Sequence, residues 1–396
     1  MIITAILIVI ELELILLDMI THCYNVFLQY YNMDTIKINP EKEGNSNIID
    51  DKLNKEDNGD TIEDIFDVAI IGGGYSGLSA ALILGRYLRP TIIFDVKQSR
   101  KSVIHGYLGF EKTPREELIQ KAWKDVLQYR SVKRIGKKVE KVERDYDNNL
   151  FLITTSTTGE NVKEDDLFKR RKARAKYLII ATGVEHVKPD IQNFEDFNGS
   201  GVWHCPHCDG FEATDKKLVI IASDNKDNEA IKYAKTFLGW TKDVKLFFQR
   251  PLNQNNDNEI SYALTEEQRN EAWALGIDVI ENDGIVKIIG DSETNAIVGV
   301  LSKSNKYHEA DVLFYHLGQV IHNEIANQLG CEFDEGYLKV NAKQQTTVPN
   351  VFAVGDIDTD RHYAILAAAS GALAAISIYE DLLKDAIKTT ELESDI

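Results

Sequence analysis

Cys205 and Cys208 are separated by two residues in the segment Trp203-His204-Cys205-Pro206-His207-Cys208-Asp209-Gly210-Phe211-Glu212. Two thiols at that spacing can close a small disulfide ring and reopen it by exchange with an external thiol. The thiolate is the reacting form, and nearby donors or positive charge stabilise it. His207 lies inside the ring and His204 just outside it; either imidazole, once protonated, would favour the thiolate. Asp209 follows directly and could carry a proton to a leaving sulfur. Other chemistries fit the segment less well. A zinc site wants four ligands, and there is no second Cys-x-x-Cys, although His204 and His207 could serve. Haem attachment wants a histidine where Asp209 stands. A thioredoxin-type domain would need a βαβ start just upstream, which residues 185–203 do not supply. No metal is expected.

A second constellation lies far upstream. Phe66–Ile71 reads as a buried strand, and Gly72-Gly73-Gly74-Tyr75-Ser76-Gly77 follows at once. Leu78 to Arg89 has helical spacing that Pro90 stops, and Thr91–Asp95 reads as the next strand. Gly72, Gly74 and Gly77 therefore form a G-x-G-x-x-G between a strand and a helix, with Asp95 18 residues beyond Gly77. That is the context a dinucleotide fingerprint requires. Gly72 permits the tight turn, Gly74 lets a pyrophosphate approach the backbone, and Gly77 lets helix and strand pack closely. The helix N-terminus offers N–H groups to the anion, and Asp95 would accept hydrogen bonds from ribose hydroxyls.

Two later pieces, Ala181-Thr182-Gly183 and Gly355-Asp356, complete an order that resembles the two-dinucleotide-domain flavoproteins, which bind FAD. With Asp209-Gly210 behind the cysteine pair, residues 66 to 384 resemble the low-molecular-weight thioredoxin reductase group of class II pyridine nucleotide–disulfide oxidoreductases. The cysteine segment, and Arg100 to Gly109 with His105 and Gly106, look like the bacterial and fungal branch that has gliotoxin-type dithiol oxidases among its relatives. The resemblance implies an α/β fold: two Rossmann-like dinucleotide-binding domains, each three-layer (ββα), the second inserted in the first. Residues 66–190 would form the first FAD-domain segment, 191–328 the inserted domain carrying the cysteines, and 329–396 the second FAD-domain segment. It also implies roles. Cys208 faces the flavin, Cys205 exchanges with substrate, and Asp209 is the general acid. Ala181, Thr182 and Gly183 line the flavin domain, and Asp356 after Gly355 reaches the ribityl chain and phosphate. Tyr363, Ala364 and Ile365 meet the flavin pyrimidine edge, Val139 touches adenine, and Arg100 and His105 join the cofactor site. A homodimer is expected.

One departure redirects the reading. The inserted domain of thioredoxin reductases carries its own glycine fingerprint, yet Ala222 to Ala230 contains no glycine and places Asp224 and Asp227 where a pyrophosphate would lie. The basic cluster that would hold the NADPH 2′-phosphate is reduced to Gln249-Arg250. The expectation is thus FAD without effective NADPH binding, with dithiols as electron donors and oxygen as acceptor. The alternatives are a degenerate but working NADPH site serving reduction of thioredoxin or a small disulfide, and a non-catalytic FAD-binding module.

The totals agree with this frame. The chain has 396 residues, enough for two or three domains, and is 43% hydrophobic and 27% charged. A net charge of −18 repels phosphate backbones, which argues against general nucleic-acid binding. Four cysteines are too few for a disulfide-stapled secreted scaffold, so a reducing, cytoplasmic setting is expected. Residues 1–65 read as an apolar start followed by an acidic, Asn-rich tail without a core. Glu11, Glu13 and Asp18 interrupt the apolar stretch, and no basic region precedes it. Membrane association through residues 2–31 is therefore the less favoured reading, and Met33 is a candidate start. The run Lys169-Arg170-Arg171-Lys172 reads as a solvated loop.

Overall fold

The structure is a computed structural model that describes residues 61–96, 102–159, 172–223, 229–249 and 264–394. The expectations for residues 1–60, for Arg100, for Lys169 to Arg171, for Asp224 and Asp227 and for Arg250 lie outside the described residues. In chain order the first unit contains β1 (Thr61–Ile71), α1 (Tyr75–Arg86), β2 (Thr91–Phe94), α2 (Arg115–Leu127) and β3 (Val132–Ile135). β1 runs parallel to β2, and β2 to β3. Phe66–Ile71 and Thr91–Phe94 are buried throughout, as expected of strands covered on both faces. α1 starts at Tyr75, three residues before the helical spacing becomes visible. It ends at Arg86 because Leu88 adopts φ +57° and turns the chain towards Pro90. β4 (Lys137–Asp145) and β5 (Leu150–Gly159) form an antiparallel meander into β6 (Lys172–Ile180), which runs parallel to β1.

After β7 (Val184–His186) the chain builds a second sheet. Its elements are β8 (Val202–Trp203), α3 (Pro206–Asp209), β9 (Leu218–Ala222), α4 (Glu229–Thr236), β10 (Val244–Phe248), α5 (Glu266–Ala274) and β11 (Ile277–Glu281). β12 (Ile285–Gly290), β13 (Ile297–Ser302) and β14 (Tyr307–Glu309) make a separate antiparallel sheet, and β15 (Val312–His316) closes the unit. The parallel order is β8-β15-β9-β10-β11. Alternation along β9 separates its faces. Leu218, Ile220 and Ala222 pack with Ile231, Ala234 and Phe237 of the helical layer, while Val219 and Ile221 pack with Ile285, Ile288 and Val300. Three layers result. A capping box opens α5: Gln268 N donates to Thr265 Oγ1 (3.2 Å) and Thr265 N to Gln268 Oε1 (2.7 Å).

The chain returns through β16 (Gln319–Ile321), which pairs antiparallel with β7. β17 (Val351–Ala353) then joins the first sheet, and α6 (Ala364–Ser394) closes the fold. The first sheet runs β3-β2-β1-β6-β5-β4. One edge of β6 is shared: residues 172–175 pair with β5, and 178–180 pair in parallel with β17. The α/β architecture of two Rossmann-like units expected from the sequence is the one that forms. α6 is long and apolar enough to cross a membrane by length and composition. Here its face of Ala374, Ala375 and Ile378 is fully buried, packed in one core with Leu78, Ala81 and Leu84 of α1.

Candidate active site

Cys205 is the N-cap of the single turn α3, and Pro206 opens it. Proline suits that position, where its fixed φ matches the helix and its missing N–H is not needed. The turn folds the two sulfurs together as a Cys205–Cys208 disulfide with Cα atoms 5.3 Å apart, and Cys208 N donates to Cys205 Sγ at 3.1 Å. Residues just before α6 hold this turn. The Cys208 Sγ lies 3.9 Å from the His362 carbonyl oxygen, and the Tyr363 hydroxyl donates to the His207 carbonyl at 2.7 Å. The His207 side chain is exposed, so its backbone rather than its imidazole makes this contact. The His204 ring lies against His186, tilted by 34° with ring centroids 3.9 Å apart, and its carbonyl accepts from the buried Tyr233 hydroxyl at 2.8 Å.

Asp209 is buried at 8% exposure, and its carboxyl is pushed up from 3.8 to about 7. Burial is the main cause; the His105 charge pulls the value down and Glu212 raises it. His105 Nε2 stands 4.0 Å from Asp209 Oδ1, and its Nδ1 is 2.7 Å from Glu111 Oε1. A carboxyl that titrates near neutrality beside a disulfide can both accept and return a proton.

The glycine turn has the shape a pyrophosphate needs. Gly72 adopts φ +113°, and a Cβ there would fall 2.1 Å from Ala181 O; a Cβ on Gly77 would fall 2.0 Å from Gly72 O. Gly74 is different, with nothing within 4 Å of its would-be Cβ, so the backbone is open where an anion would approach. α1 has no side-chain cap and no acid in its first turn, which leaves its N–H groups and positive dipole end for that anion. Gly73 N donates to Asp95 Oδ1 (3.0 Å) and Arg134 Nη2 to Asp95 Oδ2 (3.2 Å), while the Arg134 guanidinium stacks on Trp123 at 4.1 Å. Both carboxylate oxygens keep lone pairs for ribose hydroxyls. The Tyr75 hydroxyl is buried without a protein partner, and burial pushes its pKa up to about 12.

The remaining predicted residues fall into three groups. Thr182 Oγ1 donates to His322 O (2.7 Å) between Ala181 and Gly183, the latter at φ +67°. Gly355, at φ +81°, donates its N–H to Ser370 Oγ (2.9 Å) and packs on Ser76, with Asp356 next in sequence. Tyr363, Ala364 and Ile365 mark the start of α6, and the Val139 side chain is buried in the core behind β1. The fold thus gathers Gly72–Gly77, Asp95, Ala181 and Gly355 around one end of the first sheet, and Cys205, Cys208, Asp209, His105 and Tyr363 around α3. Sequence reasoning missed Glu111, Arg134, Trp123, Tyr233, Ser370 and Gly371. Only the Ser370-Gly371 pair carried a signal, as a break of small residues in an alanine-rich helix where a backbone approaches closely. Among the described residues no group of three or more His, Cys, Asp or Glu side chains is placed to hold a metal.

The model of the pyridine nucleotide-disulphide oxidoreductase family matches residues 66–373. The chain belongs to that family and is a flavin-dependent disulfide oxidoreductase of the thioredoxin reductase-like kind. A thioredoxin reductase of Listeria monocytogenes is 27% identical over 303 residues, 74% of this chain and 86% of its own length. The structure of TrxB from Bacillus anthracis is 26% identical, with a TM-score of 0.66, covering 81% of this chain and 99% of that one. The structure of HlmI is 23% identical, covers 85% of this chain and 98% of its own, and at a TM-score of 0.69 shares the fold.

Proposed function

We propose that the chain oxidises small dithiols at Cys205–Cys208 and binds FAD in the cradle formed by Gly72–Gly77, Asp95, Ala181–Gly183 and Gly355–Asp356. The observation that carries the direction is the Ala222–Ala230 connection. It has no glycine for close approach to a second pyrophosphate, and it supplies acids, with Glu229 in the first turn of α4. A substrate thiolate attacks Cys205 Sγ and breaks the disulfide, and Cys208 leaves as thiolate beside the His362 carbonyl. The second substrate thiol gives its proton to the Asp209 carboxylate, and its sulfur attacks the mixed disulfide. Cys205 then departs as a thiolate, supported by the Cys208 N–H, and the proton stays on Asp209. FAD held in that cradle would supply the two-electron acceptor for the dithiol, with oxygen as the terminal acceptor, reduced to hydrogen peroxide with two protons from solvent. Oxygen uptake driven by dithiothreitol tests this: Cys208→Ser is expected to abolish uptake, and turnover at the wild-type rate would refute the scheme.

The family and the Listeria relative favour a second reading. In it a reduced pyridine nucleotide is the donor, and thioredoxin or a small disulfide is the acceptor. Both readings include a homodimer. Leu366, Leu373, Ile376, Leu383 and Ile387 are exposed along one stripe of α6, an apolar face of the kind that pairs.

A further inference from the structure

We propose that His105 and Glu111 form a proton relay between the buried Asp209 carboxyl and solvent, serving disulfide exchange at Cys205–Cys208. This rests on the reading of Asp209 as the acid–base group. Asp209 lies in the interior, so a proton it takes from a substrate thiol needs a path out. The groups facing it are His105 from the loop before α2, Glu212 from its own segment, Tyr233 of α4 and Tyr363 before α6. Burial raises both tyrosines above their ordinary values, so neither accepts a proton near neutrality. Glu212 and Asp209 repel as like charges.

Among the described residues facing Asp209, His105 is the base that connects inside to outside. Its side chain is 14% exposed, whereas Glu111 is 56% exposed. Glu111 fixes the imidazole from two sides: Oε1 lies 2.7 Å from His105 Nδ1, and Oε2 accepts from Gly106 N at 2.9 Å. Gly106, at φ +67°, sets the bend, and a Cβ there would stand 3.3 Å from the Tyr363 ring, so the loop is seated against the site. With the Nδ1 proton directed to a carboxylate, Nε2 is the basic nitrogen, and it faces Asp209 at 4.0 Å. That gap exceeds a direct hydrogen bond, and one water bonded to both groups would carry the proton across it. The Asp209 proton passes to Nε2, the imidazolium is held by the Glu111 carboxylate, and the Nδ1 proton leaves through Glu111 to solvent. The balance is one proton in and one out. The bond to His105 holds the Glu111 carboxyl below its ordinary range, so it stays ionised for this task. His105 and Glu111 act through Asp209 and are positioning residues.

The test is the rate at which dithiothreitol opens the Cys205–Cys208 disulfide in the full-length holoprotein without oxygen. Samples are acid-quenched, and free thiols are counted by mass after alkylation, across mildly acidic to mildly alkaline pH. Wild type is expected to inflect near 7, the value for Asp209. His105→Ala removes the imidazole whose charge lowers the Asp209 value, and Glu111→Gln removes the carboxylate that holds that imidazole. Their inflection is expected to move to higher pH, with the rate at neutrality falling roughly tenfold or more. Added imidazole should restore His105→Ala. Profiles of both variants superimposing on wild type would overturn the relay, as would a rate loss in His105→Ala with an unmoved inflection and no imidazole rescue. Asp209→Asn separates the two readings. If the wild-type inflection survives in that variant, Asp209 is not the acid–base group, whatever His105 and Glu111 do.

Discussion

Asp209 pairs chemical usefulness with a cost in stability. Its carboxyl stands at about 7 in the fold against an ordinary 3.8, chiefly through burial. Because the folded value is raised, the contribution to stability is complete below 3.8 and is lost as pH rises through 7, at up to about 1.4 kcal/mol per pH unit. Asp358, in the turn after Gly355, is also raised to about 7 by burial and opposes folding in the same window. Asp209→Asn should therefore be more thermostable than wild type at mildly alkaline pH and lose that advantage in acid, while its rate of disulfide exchange falls about 100-fold or more. Melting curves at two pH values, with thiol counting, check both; a variant less stable than wild type at alkaline pH would contradict the burial argument. At this scale the sequence displays Cys205, Cys208 and Asp209 because they are neighbours in the chain. It hides Arg134, whose place against Asp95 and Trp123 depends on the parallel register that sets Phe94 beside Ile135. Glu111 was hidden as well, since only the bend at Gly106 turns it back onto His105.

At the scale of elements, the cradle depends on backbone approaches that single methyl groups would block or spare. Gly371 of α6 lies against α1 so closely that a Cβ would fall 2.0 Å from Ser76 O. Gly371→Ala should push the helices apart, costing about 1–3 kcal/mol and lowering FAD content. Gly74→Ala meets open space, with φ near −77°, so the protein should keep its melting temperature when stripped of flavin yet bind FAD more weakly. Melting curves and FAD-to-protein ratios distinguish the two; equal loss of stability in both would contradict this division. The apolar run Phe66–Ile71 and the stretch Thr91–Asp95 were legible as strands, the second ending one residue earlier, at Phe94. Ends set by tertiary pairing were not. β1 reaches back to Thr61, ahead of the apolar run at Phe66, because it pairs with β6 across a register shift.

At the scale of the molecule, the order of motifs made the insertion readable: a fingerprint, then the cysteines, then Gly355-Asp356, with the first sheet completed only by β17. The interlocking of the units at α3 was not, since Tyr363 and His207 meet over a separation of 156 residues. If the apolar stripe of α6 pairs two copies, Leu373→Glu should halve the mass seen by light scattering while retaining FAD; an unchanged mass would place the interface elsewhere. The most direct test of the whole account is an anaerobic titration of the FAD-loaded protein, following the visible absorbance of the flavin. One sample receives dithiothreitol and another NADPH. The account predicts bleaching by the dithiol and none by NADPH. Rapid bleaching by NADPH would contradict it and show that the glycine-free Ala222–Ala230 connection still admits the nucleotide.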